Sequence, residues 1–195
     1  MVAVGCAVLL ILLMATPAAP HAVMEGLGSF QAGSLHPLLT PAHALALVAL
    51  GLSVSQQQRS HRKALIILFA LSLLAAVGAI AAAFAFTEGT NLLLAAALVA
   101  GFLTALARPF PVWIAGTLTV AVAVGIAFDS VPQEIHVQPT VLSLAGTILT
   151  AWFVVTVIGT GAAEPRREWT RIGIRVVGSW AAASALLVLA LRLTR

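Results

Sequence analysis

Seven stretches of this chain are apolar for long enough to cross, or nearly cross, a lipid bilayer. They occupy residues 2–16, 41–57, 64–86, 91–107, 110–128, 140–161 and 172–191. A helical span needs about 20 apolar residues, whereas a barrel strand needs only about 10 and alternates in polarity. These runs are long and do not alternate, so the chain is read as all-α, a polytopic transmembrane bundle of seven spans. The composition agrees: 61% of residues are hydrophobic and 8% are charged. A soluble domain of 195 residues has no way to bury that much apolar surface. Residues 1–195 form one integral membrane domain in this reading. It comprises a first span or signal-like segment (2–16), a lead-in that lies along the interface or re-enters from outside (25–40), and a six-helix bundle (41–191).

The first stretch admits two readings. Its short apolar core and small-residue end suit a secretory signal peptide, but it has no basic residue ahead of that core. Retention as a helix is the preferred expectation; cleavage would leave six spans. The single cysteine, Cys6, has no partner for an internal disulfide, and only five residues precede it, which is short for a lipoprotein signal.

Basic residues fix the expected orientation, because Lys and Arg accumulate in cytoplasmic loops. Arg59, Arg62 and Lys63 share one connection, Arg108 lies in another, and Arg166, Arg167, Arg171 and Arg175 cluster in or beside a third. With seven spans, all eight face the same side, and only Arg192 and Arg195 face the other. The expectation is a bacterial inner-membrane protein with a cytoplasmic N-terminus and a periplasmic or extracellular C-terminus. The formal charge of +4 is spread over short loops, not gathered in a patch, so nucleic acid is not an expected partner. The lipid bilayer is, together with other membrane subunits or a second copy of the chain.

This topology puts His21, His36, His43 and His136 on the outer side and leaves His61 inside among basic residues. In "SLHPLLTPAH" (34–43), Pro41 suits the first turn of a helix and Thr40 suits its N-cap. His43 then falls in that first turn, where the positive end of the helix dipole favours the neutral imidazole, the form that binds a metal. His36 precedes a proline, which pushes it away from helical geometry, into a turn or the end of a lead-in helix. The outer loop "FDSVPQEIH" (128–136) adds Asp129, Glu134 and His136. With His21, His36 and His43 they make a candidate nitrogen and oxygen ligand set suited to a divalent transition metal such as nickel, cobalt, copper or zinc.

The stretch "GLGSFQAGSLHPLLTPAHALALVALGLSVSQQ" (26–57) resembles the start of the HupE/UreJ family. These are small membrane proteins associated with hydrogenase and urease maturation and held to be nickel or cobalt permeases. The family pattern is a Gly-rich lead-in, then His-Pro, two residues, Gly, one residue and Asp-His, followed by an apolar helix. His36, Pro37, His43 and "LALVALGL" match, and His21 stands where the family's N-terminal apolar segment ends near a histidine. Two positions depart: Thr40 replaces the Gly and Ala42 replaces the Asp. The family's second motif, a His-Gly-x-Ala-His-Gly-x-Glu run in a later helix, has no counterpart, since the spans over 110–128 and 141–161 contain neither histidine nor carboxylate.

The resemblance therefore implies a transition-metal permease at the entrance, while the later spans suit a non-catalytic accessory or scaffold subunit that kept the fold and lost the path. A metal-binding or delivery protein without transport is a third reading. No nucleophile–base pair, phosphate loop or haem motif is present, so an enzyme is not expected. Gly178 and Ala182 form a small-xxx-small pair that permits close helix contact. The threonines inside the spans are expected to bond their own backbones, and Trp169 to anchor at an interface.

Overall fold

The computed structural model describes residues 28–108, 110–131, 137–163 and 168–194. Seven helices occupy them: α1 Ser29–Leu39, α2 Pro41–Ser55, α3 Arg59–Ala81, α4 Gly89–Leu106, α5 Val112–Asp129, α6 Val137–Gly161 and α7 Glu168–Leu193. No strand occurs among the described residues, and the fold is an all-helical membrane bundle. The apolar stretch at 2–16 lies outside the described residues.

Five helices, α3 to α7, are each long and apolar enough to cross a bilayer. The stretch at 41–57, expected to span by itself, does not. Its helix α2 has 15 residues, about 22 Å of rise against a hydrocarbon core of about 30 Å. It reaches spanning length only together with α1, from which it is bent by 70°. The α1–α2 pair is thus a broken span or a re-entrant loop.

Helix α2 sits at the centre and touches all six other helices. Ala46, Leu47, Ala49, Leu50 and Val54 on it are buried, and they pack with Leu93, Leu94 and Ala97 of α4 and Val122 of α5. Outward faces are apolar instead of polar: Ile67, Leu71 and Leu74 of α3 and Leu186, Leu187 and Leu191 of α7 are all more than half exposed. In water such faces would associate; in lipid they need no cover.

Small residues set the helix spacing. Gly101 of α4 lies against the backbone of Gly178 and Ala182 of α7, and Gly178 in turn lies against Thr104. The small-xxx-small pair read from the sequence thus joins the last helix to α4. At the other end of α4, Gly89 meets the backbone of α5 at Gly125 and Asp129.

Helix α1 docks on α6 through the same device. Gly33 meets the backbone of Ser143, and Gly146 meets Phe30 and Ser34. His36 stands in the last turn of the lead-in helix, one of the two placements expected for it, and the helix continues through Pro37 to Leu39. A proline there cannot donate to the carbonyl four residues earlier, which is that of Gly33. Thr147 of α6 donates its hydroxyl to this carbonyl at 3.0 Å. The freed acceptor is satisfied across the helix interface, which is how prolines are accommodated in membrane helices. Thr147 is therefore an exception to the expectation that threonines bond only their own helix. Thr117 and Thr119 follow it, donating to Trp113 and Ala115.

Candidate metal site

The bend between α1 and α2 places two histidines face to edge. His36 lies in the last turn of α1 and His43 in the first turn of α2. Their ring centroids are 5.0 Å apart with planes at 89°. Pro41 occupies the start of α2, as expected. Thr40 is the N-cap residue, but its hydroxyl makes no capping bond. It lies 3.4 Å from Nδ1 of His36 instead.

His43 is fully buried, while His36 is half-buried. Nε2 of His43 lies 2.8 Å from Oδ2 of Asp129, the last residue of α5. An ionised carboxylate only accepts, so Nε2 is the nitrogen that donates, which leaves Nδ1 as the nitrogen that carries the lone pair whenever the ring is neutral. That Nδ1 is buried and has no hydrogen-bond partner among the described residues. Thr90, in the first turn of α4, donates to the other oxygen of Asp129. The carboxylate also interacts electrostatically with His36. Asp129 is thus held on both oxygens, and the close approach of Gly89 to α5 brings Thr90 within reach of it.

The pattern departs from the sequence expectation in one informative way. Ala42 leaves no carboxylate next to His43 along the chain, yet Asp129 supplies one across the bundle. Of the six candidate ligands, His36, His43 and Asp129 are brought together, and His21, Glu134 and His136 lie outside the described residues. Thr90 was not anticipated; the only sequence signal for it is the glycine before it, matched by Gly125 on the facing helix. Among the described residues, no group of three His, Cys, Asp or Glu side chains is arranged to hold a metal ion. The site offers two imidazoles, with the carboxylate engaged behind one of them.

A cation hydrogen-bonds beside the same end: Arg192 Nε donates to Asn91 Oδ1 at 3.0 Å. The other described basic residues of the connections lie at the opposite end. There Gln56 Nε2 donates to the Thr104 carbonyl at 2.9 Å and Arg175 Nε to that of Ala105 at 3.1 Å.

An all-helical bundle with apolar outer faces and a buried histidine–carboxylate cluster at one end defines a polytopic membrane protein. More narrowly, the chain belongs to the HupE / UreJ protein family, whose match covers residues 9–188. No curated protein and no solved structure matches it.

Proposed function

We propose that the chain is a non-catalytic membrane protein that captures a divalent transition metal, nickel or cobalt in keeping with its family, at the histidine end of the bundle. The metal is cargo, and the ligands are His43, through Nδ1, and His36. Asp129 orients His43, as carboxylates behind metal-bound histidines do. Water completes the coordination, since two imidazoles alone leave positions open. The supporting observation is the buried Nδ1 of His43 without a partner, beside a second imidazole. In the proposed orientation this end faces outside, away from the basic connections.

Titration of nickel into the purified chain in neutral detergent tests this. One ion should bind per chain. His43→Ala and His36→Ala should each lose more affinity than the roughly 10–100-fold typical of removing an outer carboxylate. Binding by a His36→Ala/His43→Ala double variant as tight as the parent would refute the site.

A second reading has one observation in its favour: among the described residues, the buried polar side chains between the histidine end and the arginine end are hydroxyls and amides, with no imidazole or carboxylate beyond His43. In that reading the chain is an accessory subunit that hands metal to, or anchors, other membrane subunits.

A further inference from the structure

A cavity lies at the end of the bundle remote from His43. It has a volume of about 560 Å³ and is walled by the ends of α2, α4 and α6 and the start of α7. Arg108, Arg171 and Arg175 line it, against one carboxylate among the described residues, Glu168. Arg175 spends its Nε on the carbonyl of Ala105. Gln56 also lines the cavity, and its Oε1 is buried with no hydrogen-bond partner among the described residues. The walls are not only polar. Leu106 and Ile172 face the same space, and both are nearly half exposed.

Helix α7 has 26 residues, about 39 Å of rise against a hydrocarbon core of about 30 Å, and its first two turns carry Glu168, Arg171 and Arg175, which suit the headgroup side of the core. Trp169 in that first turn is 82% exposed, the placement of an indole at headgroup level. Guanidinium groups and apolar side chains share one wall of this cavity, the combination that a phosphate joined to acyl chains would meet.

We propose that this cavity is a binding site for one anionic phospholipid. Arg108 and Arg171 take its phosphate, Gln56 Oε1 accepts from a headgroup hydroxyl, and the upper acyl chain lies along Leu106 and Ile172. Arginines from separate elements surrounding one pocket pair with a phosphate more specifically than a diffuse basic surface does.

The test uses the full chain in nanodiscs of phosphatidylcholine containing a minority of phosphatidylglycerol. After release into mild detergent, native mass spectrometry counts the retained lipid. The parent should keep one phosphatidylglycerol in preference to phosphatidylcholine. Arg108→Gln/Arg171→Gln should reduce that preference about tenfold or more, since each basic residue near an anionic lipid contributes roughly fivefold. Arg59→Gln, exposed at the same end but outside the cavity, should leave it unchanged. If the double variant does not fold, Arg171→Gln alone, at an exposed position, should show a smaller loss in the same direction. Equal losses from Arg59→Gln and the cavity variants would overturn the proposal, because the attraction would then be a general surface effect. Displacement of the lipid by millimolar inorganic phosphate would also overturn it and assign the cavity to a soluble anion.

Discussion

Asp129 controls His43 from behind. By accepting from Nε2 it fixes which nitrogen carries the proton, and with it the direction in which the lone pair points. Asp129→Asn preserves the shape and leaves an amide that can still accept, but it removes the charge. Nickel affinity should fall about 10–100-fold while the helices remain intact, a loss to be read by titration beside circular dichroism. An unchanged affinity would make the Asp129 contact a packing feature only. The nearness of the two histidines was legible in the sequence, because Thr40 and Pro41 mark a helix start between residues seven apart, although Pro37 takes no part in the bend and lies inside α1. The partner of His43 was not legible as such. Asp129 stood out as a candidate ligand, but its place behind His43 depends on where α5 ends relative to α2, 86 residues earlier. Local patterns do not carry that register. The same holds for Thr90, which contributes only because Gly89 lets α4 and α5 approach closely.

At the scale of elements, the placement of His36 rests on how α1 is docked. This helix is too short to span and too polar to insert by itself, and its interface with α6 is built from glycines and one hydroxyl. The apolar periods that located α3 to α7 say little about such a segment, which explains why its helical path through Pro37 was not anticipated. The compensating donor, Thr147, lies on a helix far along the chain. Thr147→Val keeps the shape and removes the donor, leaving the Gly33 carbonyl unsatisfied within the bundle. The expected cost is about 1 kcal/mol, within the range for interhelical hydrogen bonds in membranes. Thr147→Ser, which keeps the hydroxyl, should cost less. Unfolding in mixed micelles would compare the two, and equal losses would show that the methyl group matters and the bond does not.

Across the whole molecule, the question is whether an ion captured beside His43 can cross. Beyond His43 the buried positions of α2 are Ala46, Leu47, Ala49 and Leu50, faced by Leu93, Leu94 and Ala97 of α4 and Val122 of α5. Of the buried hydroxyls further along, those of Thr119, Ser53 and Thr104 bond within their own helices, to Ala115, Leu50 and Ala100, and that of Thr156 has no hydrogen-bond partner among the described residues. Among the described residues, then, the bundle centre offers no sequence of imidazoles or carboxylates to replace the hydration shell of a divalent ion. Moving such an ion through an apolar interior without ligands is prohibitive, because the cost of desolvating a charge is not repaid. Proteoliposomes containing this chain alone should therefore take up nickel or cobalt no faster than protein-free liposomes, even where titration shows that the same preparation binds the metal. Adding a family member that carries the second histidine motif to parallel liposomes gives the positive control. Uptake by this chain at a rate comparable to that control, lost in His43→Ala, would mean that the bundle opens a hydrated path, and the accessory reading would then give way to transport.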